Sequence, residues 1–126
     1  MYLVDSDGSN VMRLPGGTGQ DDQFPNWSPD GDKLSFSSFS SFGFNSREIY
    51  LMDDDGSNHV QLTRDEIHND LADWSPDSKH LVFVSGQGSE AEIHVVRVGG
   101  LNRTQLTDNS YADYAPAWSP MGVSGN

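Results

Sequence analysis

The sequence predicts an all-β fold built from repeated four-stranded antiparallel meanders, and three observations carry that prediction. A Trp-Ser-Pro triplet recurs at Trp27-Ser28-Pro29, Trp74-Ser75-Pro76 and Trp118-Ser119-Pro120, with spacings of 47 and 44 residues. An Asp-Gly-Ser-Asn tetrapeptide occurs at 7–10 and again at 55–58. Leu62-Thr63 and Leu106-Thr107 each stand eleven residues before a repeat tryptophan. Landmarks repeated in the same order at a period of 44–48 residues mark a repeat architecture. Four short strands at that period make the blade of a β-propeller.

Each unit opens with the turn that follows its tryptophan, as in Trp27 to Gly31. An apolar alternation follows, Leu34-Ser35-Phe36 or Leu81-Val82-Phe83, which reads as a strand. After a variable loop comes Ile49-Tyr50-Leu51-Met52 or Ile93-His94-Val95-Val96, a second strand ending at the Asp-Gly-Ser-Asn turn. The unit closes on Val60-Gln61-Leu62 or Thr104-Gln105-Leu106. Pro, Asp and Gly in the two turn motifs have a structural role: fixed φ, side-chain bonds to backbone N–H groups, and positive φ without steric cost. A calcium loop is excluded at Asp53-Asp54-Asp55-Gly56. Placing Gly56 sixth makes Leu51 the first ligand, and no glutamate follows the glycine by six residues. No stretch carries a helical period.

The register divides the chain into the last two strands of a blade (1–15), two full blades (16–63 and 64–107), and the first strand of the next (108–126). Nine strands are expected, the last over Tyr111 to Ser119. One apolar layer between blades should hold Trp27, Leu34, Phe36, Ile49, Leu51, Leu62, Trp74, Leu81, Phe83, Ile93, Val95, Leu106 and Trp118.

At 126 residues the chain is at most one domain. Seven Lys plus Arg stand against 19 Asp plus Glu, a net charge of -12, which disfavours nucleic acid as a partner. No basic amphipathic stretch or long apolar run points to a membrane. Cysteine is absent, so disulfides, zinc–thiolate sites and thiol nucleophiles are excluded. No signal peptide is expected, since Met1-Tyr2-Leu3-Val4 already reads as strand.

Successive turns of a meander alternate between the two ends of the blade. The two repeated turns share one monotonous face. The loops on the opposite face differ between copies, and function is expected there. The lead-in segments Gln20-Asp21-Asp22-Gln23, His68-Asn69-Asp70 and Ala112-Asp113-Tyr114 reach the mouth of the innermost strands. Asp21, Asp22, Asp70 and Asp113 there either ring a central channel, favouring a cation or basic segment, or cap turns and stay solvated. Phe39, Phe42 and Phe44 lie in the longer loop of the first full unit. They form either a contact surface or packing for a neighbouring blade. The expected partner-binding set is Asp21, Asp22, Phe42, Phe44, His68, Asn69, Asp70, Asp113 and Tyr114, with no catalytic residue and no assigned metal ligand. A divalent cation at the acidic loops is the one cofactor that these residues leave open. No Gly-x-Ser-x-Gly, His-Glu-x-x-His or Gly-rich phosphate motif is present.

The segments Pro25-Asn26-Trp27-Ser28-Pro29-Asp30-Gly31, Ala72-Asp73-Trp74-Ser75-Pro76-Asp77, Pro116-Ala117-Trp118-Ser119-Pro120 and Glu48-Ile49-Tyr50-Leu51-Met52-Asp53 give the chain its family likeness. It resembles the WD40-like (PD40) repeats of TolB-type propellers, with Ser78 and Met121 departing from the usual Gly and Asp. The resemblance implies a non-catalytic module that binds a protein or peptide, in the periplasm or otherwise outside the cytoplasm. It equally admits the propeller of a prolyl-oligopeptidase-type peptidase, or a metal-dependent oligogalacturonate-type lyase. Three blades cannot close a ring of about 4–8. Two copies are therefore expected to join as a six-bladed homodimer, unless the chain is a fragment of a longer propeller.

Overall fold

The computed structural model describes residues 1–14, 21–39, 46–100 and 102–120. These form three antiparallel sheets. A ribbon pairs β1 (Tyr2–Leu3) with β2 (Met12–Arg13). The first blade runs β3 (Gln23–Trp27), β4 (Lys33–Phe39), β5 (Arg47–Asp53) and β6 (Val60–Gln61). The second runs β7 (Asn69–Trp74), β8 (His80–Ser85), β9 (Glu92–Arg97) and β10 (Thr104–Gln105). Both blades keep chain order across the sheet. The strand count among the described residues is ten rather than nine, two in the ribbon and four in each blade. Residues 111–120 join no ladder. They are tied to the second blade by Asp113 N–H donating to the Ala91 carbonyl at 2.8 Å and Trp118 N–H to Asp73 Oδ2 at 2.8 Å.

The repeated motifs are turn devices. In the first blade Ser28 Oγ accepts from Lys33 N–H at 2.9 Å and donates to Asp30 Oδ1 at 2.6 Å. Ser75 Oγ repeats this with His80 N–H at 2.9 Å and Asp77 at 2.5 Å. Where Gly31 has φ of 81°, Ser78 has 58°, so the serine takes the left-handed position that glycine fills more cheaply. In the other turn, Asp53 accepts from Asn58 Nδ2 at 2.7 Å and Asp55 from Ser57 N–H at 2.9 Å.

Two core layers form instead of one. Cross-strand pairing sets Leu34 and Phe36 opposite Met52 and Tyr50. That face of the first blade packs with Leu14, Met1 and Leu3 of the ribbon side. The alternate face carries Ile49 and Leu51, which meet Ala72, Trp74, Leu81, Phe83 and Val96 of the second blade. Leu81 opposes Val96 and Phe83 opposes His94, so residues 94 and 96 face the first blade. Ile93 and Val95 turn the other way, toward where a further blade would stand, and are only half-buried. The same logic explains the tryptophans. Trp74 packs back onto the preceding blade and is 4% exposed. Trp27 stands across from Leu34, on the face that has the ribbon rather than a full blade beside it, and is 42% exposed, while Trp118 is 38% exposed. Leu106, the counterpart of the packed Leu62, is exposed, with no following blade over it among the described residues.

Candidate functional site at the loop face

The lead-in segments converge on a cation that the acidic pattern alone does not reveal. Arg47 opens β5, and its guanidinium lies between the rings of Phe24 and Phe39, at 5.8 and 5.0 Å from their centroids. Nη2 pairs with Asp21 Oδ2 at 3.0 Å and Nη1 with Asp70 Oδ2 at 3.4 Å. His68 Nε2 meets the same Asp70 oxygen at 3.2 Å. The expected ring of carboxylates is thus a mixed chain, Asp21–Arg47–Asp70–His68. Register brings it together, since Phe39 stands opposite Arg47.

The remaining predicted residues separate into two groups. Tyr114 donates its hydroxyl to the Gly88 carbonyl at 3.2 Å. With His68, Asp70, Leu71, Val84 and Gly88 it lines a cavity of about 320 Å³. Asp113 accepts from Asn109 Nδ2 at 2.7 Å, and Asp22 is half-buried. Asn69 is fully buried, and its amide donates to Glu48 Oε2 at 3.0 Å and Asp65 Oδ1 at 2.7 Å. It therefore braces the loop from inside. Phe42 and Phe44 lie outside the described residues.

Two features set this mouth apart from an ordinary strand end. Arg47 Nε, His68 Nδ1 and Asp70 Oδ1 are buried and have no hydrogen-bond partner among the described residues. Buried polar atoms are nearly always paired, so three orphans in one connected cluster call for a partner group. The inner strands also carry register shifts, between Gln23 and Asn26 and between Asp70 and Asp73. At these places Phe24 and Leu71 adopt φ of 54° and 55°, and Ala115 repeats it at 53°. Bulges of this kind re-aim side chains at the rims of sheets.

A second, larger cavity of about 610 Å³ lies toward the outer strands of the second blade. Arg103 holds its wall. The guanidinium pairs with Asp65, donates from Nε to His94 Nδ1 at 3.2 Å and from Nη2 to Ser85 Oγ at 2.8 Å, and covers the Phe83 ring at 5.2 Å. Burial lowers the pKa of His94, and the Arg103 charge lowers it further, so the ring is held neutral with Nδ1 accepting. Glu92 accepts from Thr107 Oγ1 and from Asn109 N–H, the latter at 3.1 Å. Its counterpart Glu48 does the same with Thr63 and Glu66, and burial raises the Glu48 pKa despite those bonds. Sequence reading passed over this cavity. The available signal was a joint change within the repeat: Phe36, Tyr50 and His59 in one copy become Phe83, His94 and Arg103 in the next.

Among the described residues no group of three His, Asp or Glu side chains is placed to hold a metal ion. No helix among them is long and apolar enough to cross a membrane.

Comparison with known proteins agrees with this architecture. The TolB beta propeller domain family (PD40) matches residues 1–124. An uncharacterized protein of Agrobacterium fabrum (strain C58) is 36% identical over 96 residues, covering 76% of this chain and 32% of that protein. An uncharacterized peptidase of Bacillus subtilis (strain 168), YuxL, is 28% identical over 110 residues, covering 79% of this chain and 16% of the relative. The solved structure of a candidate TolB from Agrobacterium tumefaciens superposes with a TM-score of 0.79 at 27% identity, over 96% of this chain and 46% of that one. The chain therefore spans a third or less of these two curated relatives. The sheet order, the repeated turns and the match over nearly the whole chain lead to one assignment: the chain belongs to the TolB β-propeller family.

Proposed function

We propose that this chain is a non-catalytic propeller segment that binds a protein or peptide through its loop face, outside the cytoplasm. The observation that carries the reading is the cluster of buried, unpartnered Arg47 Nε, His68 Nδ1 and Asp70 Oδ1 beside the cavity closed by Tyr114. It offers a guanidinium nitrogen, an imidazole nitrogen and a carboxylate acceptor in one connected cluster, of which His68 and Asp70 line the cavity. An extended peptide backbone, which alternates N–H and C=O groups, meets that demand. A panel of displayed peptides selected against the purified chain tests it. Selected peptides should bind wild type and lose at least tenfold affinity to Tyr114→Ala and His68→Ala variants that melt normally. A panel that yields no binder, or binders indifferent to both substitutions, would refute it.

The likeness to a peptidase supports a second reading, in which the segment belongs to the propeller of an enzyme whose chemistry lies elsewhere. A Gly-x-Ser-x-Gly segment further along the parent reading frame would decide for it. Ring closure by two copies is a linked proposal, supported by the exposed Trp27 and Trp118 and the half-buried Ile93 and Val95. Light scattering tests it: a discrete two-chain mass is expected, and a well-folded monomer would rule it out.

A further inference from the structure

We infer that the mouth cavity of the second blade takes an arginine side chain, contributed by the peptide proposed to bind there. The inference rests on that reading for the source of the arginine, and on a comparison of the two blades for its chemistry.

In the first blade the corresponding place is filled from within. Arg47 occupies it, set between the Phe24 and Phe39 rings and paired with Asp21 and Asp70. The repeat carries each position into the second blade. Glu48 aligns with Glu92, so Arg47 aligns with Ala91. Counted from the repeat tryptophans and along the paired strands, the four groups that touch Arg47 become Leu71, Gly86, His68 and Tyr114. All four line the cavity of about 320 Å³. The cavity is thus the place that a guanidinium and two aromatic rings fill in the neighbouring blade. Gly86 keeps it open, because a Cβ there would come within 2.2 Å of the Glu90 carbonyl oxygen. No side chain can stand where Phe39 stands in the first blade.

What remains in that place is a demand for hydrogen-bond donors. Asp70 Oδ1 and His68 Nδ1 are buried and without a partner among the described residues. His68 Nε2 meets the Asp70 carboxylate at 3.2 Å, so in the neutral ring Nε2 carries the proton and Nδ1 accepts. Both unpaired atoms therefore call for a donor. Asp21 and Asp70 share the one guanidinium of Arg47, which leaves the linked cluster with a negative charge to spare. A cation rich in donors meets both demands. A guanidinium suits the walls better than an ammonium does. It is planar and weakly hydrated, its fork reaches more than one acceptor, and Leu71 and Val84 supply apolar lining. Tyr114 supplies an aromatic face on which it can stack. That residue is 55% exposed and lies in the segment that joins no ladder, so its ring can settle on the guanidinium plane.

The test titrates isotopically labelled chain with Nα-acetyl-arginine methylamide and follows backbone amide shifts. Saturable shifts are expected at residues 68–71, 84–88 and 114. Affinity should fall at least fivefold for the citrulline analogue, which keeps the planar shape but lacks the charge, and at least threefold for the lysine analogue. It should fall at least fivefold in Asp70→Asn, with folding checked in the same spectra. The citrulline comparison needs no variant and decides the matter if that one does not fold. Equal binding of the arginine and citrulline probes, lysine binding as tight as arginine, or shifts confined to residues 89–92 and 103–110 would overturn the inference. Peptides from the displayed panel separate it from the parent reading. If they lose affinity to Tyr114→Ala and His68→Ala but tolerate citrulline in place of arginine, the arginine inference fails and the mouth reading stands. If the arginine probe binds as expected and the panel yields no binder, the mouth reading fails and the guanidinium site stands.

Discussion

Substituting Trp74 by alanine is the sharpest test of how the blades are held. The side chain is 4% exposed and packs among Ile49, Leu51, Leu81, Phe83 and Val96. Its indole Nε1 donates to the Asn26 carbonyl at 3.1 Å. Removing a buried tryptophan costs about 3–5 kcal/mol through lost transfer energy and the cavity left behind. The lost hydrogen bond adds about 1 kcal/mol at most, since Asn26 O also accepts from Ser35 Oγ at 3.4 Å. For a chain of this size roughly 3–6 °C of melting temperature accompanies each kcal/mol, so a drop of about 10–35 °C is expected. Trp27 occupies the same motif position but is 42% exposed, and Trp27→Ala should cost about 1–2 kcal/mol. Thermal melts followed by circular dichroism, at a dilution low enough to separate any two-chain assembly, provide the comparison. A Trp27→Ala penalty equal to or above that of Trp74→Ala would refute the packing argument. In a closed two-chain ring Trp27 would gain a neighbour and the contrast would vanish.

Three further outcomes are expected. Ser75→Ala removes the hydroxyl that accepts from His80 N–H and donates to Asp77, and urea titration should show a loss of about 1–2 kcal/mol. Arg47→Met leaves the mostly buried Asp70 carboxylate without its cation. A loss of about 1–3 kcal/mol is expected by urea titration, with His68→Ala added to Arg47→Met costing less than it does alone because both act through Asp70. The pH dependence has two opposed parts. Side-chain hydrogen bonds lower the pKa of Asp7, Asp30, Asp53, Asp55 and Asp77 below 3.8, so their contribution is full above that value and is lost as pH falls through the folded values. Burial raises Glu48 above 4.5, so its ionisation costs stability as pH rises from 4.5 through the folded value. The urea midpoint of Glu48→Gln, relative to wild type, should therefore climb as pH rises above 4.5, and a flat difference would contradict the burial assigned to Glu48.

The repeat made the blades legible, because the turn chemistry of Ser28-Pro29-Asp30 and Asp55-Gly56-Ser57 is local and needs no knowledge of neighbours. Burial was less legible. The three tryptophans are equivalent in sequence, yet only Trp74 is buried: it is set in a β-ladder against a complete blade, whereas Trp118 follows a complete blade but lies in residues that join no ladder. Ile93 has the sequence of a core residue by its likeness to Ile49, but its face has no blade packed on it among the described residues and it is only half-buried. The site was legible in part. His68, Asp70 and Tyr114 do share a cavity, because the start of β7 and the strandless segment around Tyr114 both lie against the Gly86–Gly88 turn. Arg47 was missed because it reaches the mouth from the third strand of its blade, and only the pairing of Phe39 with Arg47 shows that it lies there. The left-handed backbone at Phe24, Leu71 and Ala115 was also hidden, since none of these residue types advertises positive φ.

The bond from the Trp74 indole to the Asn26 carbonyl, with Asn26 Nδ2 donating to Asp73 Oδ1 at 3.0 Å, crosses from one blade to the next. Its consequence concerns cooperativity. A blade that borrows part of its hydrogen bonding and nearly all of one apolar face from its neighbour has little stability alone. Unfolding should therefore spread by nearest-neighbour coupling, as in linear repeat arrays. The β1–β2 ribbon, joined by only two residue pairs, is the place for fraying to start. Amide exchange should then be graded along the chain: fastest in the ribbon and in residues 111–120, slowest on β5, β7 and β8, which form the junction between the two blades.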